Sequence, residues 1–268
     1  MTAVQDVSAR LSFTAEVAEG FFLARLEAPA VATQAVPGQF VSLKVSPGTA
    51  PLLRIPLSIL SADPATGVFE VLYERLGPKS AALSRLPTGA SVPCLGPLGN
   101  GFPEPLPGSR PILVGGGVGI PPLLYLGRRW RAAGQGQCLL LAGARTAAKH
   151  LPPTMLADGA DAVRQATDDG TLGHAGLVTD LLETCLAEEP ACTVYTCGPH
   201  PMMAAVAARC AAAGVTCYAS LEEYMACGFG VCVGCVVELA EPRDHSPYGK
   251  YGRVCVDGPI FEASQIAW

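Results

Sequence analysis

Near the carboxyl end of the chain, the run CGFGVCVGC places Cys227, Cys232 and Cys235 in a C-x4-C-x2-C spacing, and RVCVDGPIF adds Cys255 as a distant fourth thiol. Four thiolates in this arrangement are the ligand set of a [2Fe–2S] cluster. Gly228, Gly230 and Gly234 interleave the cysteines. Glycine lets the backbone take positive φ and wrap close to a cluster, with N–H groups turned toward sulfur. Zinc is the structural alternative, but zinc knuckles use paired short spacings, and the four-residue gap fits them poorly. A centre this small moves one electron at a time, so the rest of the chain is to be read as a redox relay.

A chain of 268 residues predicts two domains and a small appendage. Half of the residues are hydrophobic, enough for a sizeable core, and the formal net charge is −5. There is no basic block and no interleaving of arginine with aromatics, which argues against nucleic acid as a partner. Eleven cysteines scattered over this length do not form a disulfide framework. Outside the cluster run, Cys94, Cys138, Cys185, Cys192, Cys210 and Cys217 read as small buried hydrophobes of a reducing cytosol, with Cys197 set apart by the turn it opens. The start, MTAVQDVSARLSF, lacks the architecture of a targeting signal. The longest apolar run, PILVGGGVGIPPLLYL, is broken by glycine and proline and is too short to span a membrane. A soluble, cytoplasmic protein is expected.

Residues 1–103 read as β structure. Stretches such as QFVSLKVS and GVFEVLYERL have strand length, and Gly/Pro turns separate them, which predicts a small antiparallel barrel. PLGNGFPEPLPGSRP has the composition of a linker. Residues 104–220 alternate strand and helix, the signature of a doubly wound parallel sheet. Residues 221–268 hold the cysteine loop, a hairpin-like stretch and the tail.

Two turns of the α/β region draw attention. Gly115, Gly116, Gly117 and Gly119 follow a predicted strand and precede a helix, where backbone N–H groups can approach a diphosphate. The dinucleotide fingerprint itself is missing. No register gives G-x-G-x-x-G, and the second strand ends in AGAR without an acid for a ribose. A tight strand–helix turn is the plain alternative. Cys197-Gly198-Pro199 also ends a strand and opens a helix, so it lies at the carboxyl edge where such sheets bind ligands. It reads equally as a structural turn around a buried cysteine.

Together the R-x-P-x-S of the barrel, GGGVGIPP and CGPHPMM resemble the ferredoxin–NADP reductase superfamily. TDDGTLGHAGLVTD, SLEEYMACGFGVCVGC and VCVDGPIF narrow the resemblance, over nearly the full length, to the electron-transfer subunits of class 1B dihydroorotate dehydrogenases. The resemblance implies FAD, a [2Fe–2S] cluster and NAD as cofactors. It also implies a partner, the FMN-containing catalytic subunit, in a heterotetramer of two of each, and a role in pyrimidine biosynthesis. It places Ser58, after Pro56 and Leu57, near the reactive edge of the flavin. Tyr73 and the run Gly77 to Ser80, including Lys79, would hold the ribityl-diphosphate part. Gly115 to Gly119 would hold the NAD diphosphate, Cys197-Gly198-Pro199 would line the nicotinamide side, and Cys227, Cys232, Cys235 and Cys255 would ligate the cluster.

Two departures from the family pattern stand out. The family shows two arginines before Pro-x-Ser, and the second pairs with the flavin diphosphate; this chain has Arg54-Ile55. Neighbouring strand residues face opposite sides, so Arg54 does not simply replace an arginine at position 55. The family also shows Gly-Lys-Gly-Thr where this chain has Gly77-Pro78-Lys79-Ser80. Lys79 is expected to supply the missing charge; the rival is Arg54 reaching in through a bulge.

Asp168-Asp169-Gly170 reads as a polar turn, and His174 and His245 lack metal-ligand spacing to a partner. Arg145 could meet an adenosine ribose, or a 2′-phosphate were the substrate NADP; the resemblance favours NAD. Trp130 and Trp268 read as packing residues.

The physical logic is that of a converter. NAD accepts two electrons together as hydride, the cluster passes one, and a flavin between them does both. Dihydroorotate oxidation itself is expected on the partner, and no catalytic acid or base is assigned here. Two rivals remain at this point. One is an NAD(P)H-linked diaphorase subunit of a hydrogenase or ferredoxin transhydrogenase, some of which carry aspartate at the first cluster position. The other is a zinc-stabilised nucleotide-binding regulatory module.

Overall fold

The computed structural model describes residues 4–134, 137–243 and 247–268; His245 lies outside them. Six strands close the amino-terminal barrel: β1 (Gln5–Ala18), β2 (Phe21–Glu27), β3 (Phe40–Leu43), β4 (Ile55–Asp63), β5 (Val68–Glu74) and β6 (Ser91–Leu98), in the order β1-β2-β5-β4-β3-β6. All pairings are antiparallel. Closure leaves no free edge, and a core that includes Leu11, Leu26, Leu43, Ile59 and Phe69 fills the interior. Two short helices sit in the connections, α1 (Pro29–Ala32) and α2 (Pro78–Leu83). Each has proline in its first turn, where a missing N–H costs nothing.

The second unit alternates: β7 (Arg110–Gly116), α3 (Ile120–Ala132), β8 (Leu139–Ala144), α4 (Pro153–Asp158), β9 (Ala162–Thr167), β10 (His174–Ala175), α5 (Val178–Glu188), β11 (Cys192–Cys197), α6 (His200–Ala213) and β12 (Thr216–Ser220). The sheet order is β10-β9-β8-β7-β11-β12, parallel throughout. The chain turns back between β7 and β11. Such a switch point leaves a crevice at the carboxyl ends of the strands. β7 is buried on both faces and reads as a continuous apolar run for that reason. Gly214, at φ +66°, ends α6 in the left-handed conformation. Tyr195 anchors one core layer, with ring centroids 4.9 Å from Trp130 and 5.8 Å from Phe102. Aromatic contacts of this kind add about 0.5–1.5 kcal/mol each beyond the area they bury.

The carboxyl-terminal segment forms the ribbon β13 (Val236–Glu238) with β14 (Tyr251–Arg253), which is the hairpin the sequence suggests. It does not stand apart from the parallel sheet. β15 (Ile260–Glu262) pairs antiparallel with β12 and becomes the seventh strand. This covers an otherwise open edge and buries Ile260 and Phe261. The Pro/Gly-rich stretch after β6 is also more than a spacer. Asn100 donates its Nδ2 to the Ile260 carbonyl at 3.1 Å and accepts the Ile260 N–H at 3.0 Å, clamping barrel to tail. Among the described residues, no helix is long and apolar enough to cross a membrane.

Candidate functional site

Two adjoining clefts and the cysteine loop bring most of the sequence candidates together. The first cleft, about 340 Å³, opens between the barrel and the segment that follows β12. Pro56, Leu57 and Ser58 of β4, Tyr73 of β5 and the turn Gly77–Ser80 line one side. Ser220, Leu221, Glu222, Glu223 and Met225 line the other. The Tyr73 hydroxyl is buried without a well-formed hydrogen bond. Burial pushes its pKa up to about 12, with the Thr14 hydroxyl as its neighbour. A buried polar atom short of a partner, at the wall of a cleft, fits a site made for a polar ligand.

The turn at the foot of this cleft holds itself together. Ser80 Oγ accepts the N–H groups of Leu76 and Gly77 at 3.0 and 3.1 Å and donates to the Gly77 carbonyl. Its hydroxyl shapes the loop rather than waiting for a ligand. Lys79 lines the cleft, and its Nζ donates to the Arg54 carbonyl at 3.1 Å. The Arg54 side chain turns elsewhere. It donates to the carbonyls of Ser42 and Pro93 and pairs with Asp6 at 3.3 Å, and Ile55, not Arg54, faces the cleft.

The second cleft, about 550 Å³, lies over the carboxyl edge of the parallel sheet. Gly116, Gly117 and Val118 line its centre, with Pro199 and Met202 at the start of α6. Gly117 has φ +55° and open space where a Cβ would project, so ligand atoms can come close to its backbone. Gly119 has the opposite reason to be glycine. A Cβ there would lie 2.3 Å from the Cys197 carbonyl carbon, so the two turns read separately from the sequence are packed backbone to backbone. Gly115 is a packing residue, with Ile120 and Leu123 of α3 where its Cβ would stand. Cys197 is wholly buried beside Ser220, its register partner. Burial raises its thiol pKa well above the usual range, so it stays neutral and reaches neither cleft as a lining residue. Gly198 links it to Pro199 at φ +154°.

Glu74, Leu76, Val118 and Glu222 belong to both clefts, which makes them one continuous space. Glu222 is open to the clefts but recessed among protein atoms, and burial pushes its pKa up to about 7. The sequence offers no sign of this residue beyond its place just ahead of the cysteine run.

That run begins where the first cleft ends: Met225 lines the cleft and Cys227 follows two residues on. The four cysteines fall into two neighbouring pairs. The Cys232 N–H donates to Cys227 Sγ, and the Cys255 N–H to Cys235 Sγ, each at 3.4 Å. Burial alone would raise the pKa of Cys227, but the backbone N–H groups of Cys232, Phe229 and Val231 outweigh it and bring the thiol down to about 6. Gly228 and Gly230 take φ +79° and +90°, and Val233 is bent to +56°, a conformation costly for a β-branched residue. Arg253 pins the loop through the Gly230 carbonyl at 3.2 Å and holds Asp257 on its other side. Among the described residues, no three ligating side chains gather around one point. The two pairs match the division of four thiolates between the two irons of a [2Fe–2S] cluster, one pair per iron.

Comparison with known proteins agrees with this layout. Residues 222–267 match the model of the iron–sulfur cluster binding domain of dihydroorotate dehydrogenase B. Residues 113–208 match the oxidoreductase NAD-binding domain. The chain is 42% identical over 232 residues to the dihydroorotate dehydrogenase B (NAD(+)) electron transfer subunit of Bacillus caldolyticus, covering 86% of each. With the subunit of the same name from Desulforamulus reducens it is 35% identical over 252 residues, 94% of each. Among solved structures, an NADH-dependent reduced ferredoxin-NADP oxidoreductase superposes with a TM-score of 0.85 at 28% identity, over 98% of this chain and 91% of that one. The ferredoxin reductase of a carbazole 1,9a-dioxygenase shares the fold at a TM-score of 0.70 and 23% identity, over 79% of this chain and 67% of that one.

Proposed function

The chain belongs to the family of dihydroorotate dehydrogenase B electron transfer subunits, and from that premise we infer that it carries electrons from a dihydroorotate-oxidising catalytic subunit to NAD+. It is an oxidoreductase subunit that uses FAD, a [2Fe–2S] cluster and NAD. The observation that carries this reading is continuity. The nucleotide cleft shares a wall with the barrel cleft, and the far wall of the barrel cleft runs directly into the cysteine loop. When bound, a flavin exchanges hydride with nicotinamide and single electrons with an iron–sulfur centre.

The chain's own residues position these groups. Pro56, Leu57 and Ser58 present backbone and hydroxyl along one wall of the flavin cleft, with Tyr73 and Lys79 further along it. Gly117 leaves room for a diphosphate, Gly116 lets Met202 and Pro199 pack against the turn, and Pro199 borders the nicotinamide end. Glu222 stands at the junction, lining both clefts. Cys227, Cys232, Cys235 and Cys255 are the cluster ligands in this reading. The catalytic subunit docks over the cysteine loop, where Tyr224, Phe229 and Val231 are 96%, 48% and 73% exposed. Large apolar side chains left in water beside a redox centre suit a surface that becomes covered. The partner is FMN-containing, the assembly holds two of each subunit, and it works in the cytoplasm.

The test is to co-purify the chain with its catalytic subunit and follow NAD+ reduction with dihydroorotate as the electron donor. The reading expects turnover by the pair and none by this chain alone. The whole-length likeness to the ferredoxin-linked oxidoreductase supports one second reading, in which ferredoxin is the redox partner. Reduced ferredoxin in place of dihydroorotate and the catalytic subunit separates the two.

A further inference from the structure

In the nucleotide cleft, the end shared with the flavin cleft takes the nicotinamide, so the adenosine falls at the opposite end. There the walls are Gly143 to Arg145 at the end of β8, Asp168 after β9, and the first turn of α5. Parallel strands β8 and β9 run in register, with Ala144 opposite Thr167, so Arg145 and Asp168 emerge from neighbouring strand ends. The Asp168 N–H donates to the Ala144 carbonyl at 3.1 Å, which fixes the two turns side by side. Gly143 admits α5 to the same place, since a Cβ there would stand 2.9 Å from that of Val178. Thr179 thereby lines the cleft at 2% exposure, with its Oγ1 buried and without a hydrogen-bond partner.

Three aspartates stand at this end, and two are occupied. Asp169 caps its own turn through the Thr171 N–H and hydroxyl at 3.0 and 2.6 Å. Asp180 caps α5 through the Leu177 N–H at 2.9 Å and meets His174 at 3.2 Å. Among the described residues, the Asp168 carboxylate has neither a hydrogen bond nor an ion pair, and neither does the Arg145 guanidinium. Lys149, the other cation lining the cleft, is held by Glu74 at 2.9 Å.

We propose that Asp168, with Thr179 beside it, binds the adenosine ribose hydroxyls and sets the preference for NAD over NADP. An ionised carboxylate is an acceptor that two vicinal hydroxyls can share. A 2′-phosphate brought to the same place would meet that charge and the neighbouring aspartates. In nucleotide folds of the dehydrogenase type, the discriminating acid comes from the end of the second strand. Here the second strand ends in Arg145, and the third supplies the acid. Without Asp168, the free Arg145 guanidinium would instead favour a phosphate.

The inference rests on the NAD-linked reading above. It is tested on the cofactor-loaded protein by calorimetric titration with NAD+ and with NADP+, alongside NADH- and NADPH-driven dye reduction. Asp168→Asn keeps the shape and removes the charge. It should weaken NAD+, tighten NADP+, and narrow the preference roughly ten- to a hundredfold, the scale of hydrogen bonds to a charged group. The gain in NADP+ binding should vanish in Asp168→Asn/Arg145→Ala. Thr179→Val should weaken both nucleotides alike, with flavin and cluster absorption unchanged. Preference for NAD+ that is undiminished in Asp168→Asn would overturn the assignment alone. A wild type that prefers NADP+ would overturn the NAD-linked reading and this assignment with it.

Discussion

Lys79 holds the main-chain carbonyl of Arg54 at 3.1 Å from inside the barrel cleft, while the Arg54 side chain points out of that cleft toward Ser42, Pro93 and Asp6. One bond thus joins the two rival candidates for a single task, and only Lys79 has its charge on the cleft side. Lys79→Ala should weaken FAD retention about ten- to a hundredfold, from the loss of charge-assisted hydrogen bonds worth roughly 1.5–3 kcal/mol. Arg54→Ala should leave it nearly unchanged. Reconstitution of the stripped protein with FAD, followed by flavin fluorescence, measures both. The reverse ranking would return the role to Arg54.

Gly119→Ala should separate the two nucleotide turns. Its Cβ would stand 2.3 Å from backbone atoms of Cys197, which no side-chain rotation relieves. Overpacking of this kind costs roughly 1–3 kcal/mol. The loss should appear in the KM for NADH in dye reduction, with FAD content kept, because the clash falls on Cys197 and Gly198 of the α/β unit. An unchanged KM would mean that the contact plays no part in shaping the nucleotide cleft.

Glu222 predicts a pH signature. Its folded-state pKa lies near 7, raised from an ordinary 4.5 by burial. For an acid shifted upward, the contribution to stability is complete below the unfolded pKa and is lost as pH rises through the folded one. The melting temperature of Glu222→Gln should therefore gain on the wild type between about pH 4.5 and 7 and then level off. The opening of the clefts to water keeps this difference small. A constant difference across that window would show that Glu222 ionises as an ordinary surface carboxylate.

Local patterns carried much of this layout. Strand-length apolar runs gave the barrel, the alternation of strand and helix gave the parallel sheet, and cysteine spacing pointed to the loop around Cys227 and Cys235. Alternation along a strand also foretold that Arg54 and Ile55 would part company, and Ile55 alone lines the cleft. What stayed hidden depends on contacts between distant residues. The packing of Gly119 against Cys197, the pairing of β15 with β12, and the Asn100 clamp on Ile260 have no local signature. Glu222 looks like any glutamate until the fold sets it where the two clefts meet. Asp168 reads as part of a polar turn, which it is, and only the neighbouring strand end places it at the wall of a cleft.

The central claim is that electrons cross between the subunits only through the cysteine loop. The most direct measurement is dihydroorotate-dependent NAD+ reduction by the assembled pair, comparing wild type with Cys232→Ser and with Cys235→Ser, one variant from each thiol pair. Each variant should lose iron, inorganic sulfide and the coupled activity, while keeping FAD and NADH-driven dye reduction. Full coupled activity in a variant shown to lack the cluster would contradict the account, because electrons would then be reaching the nucleotide clefts by another route.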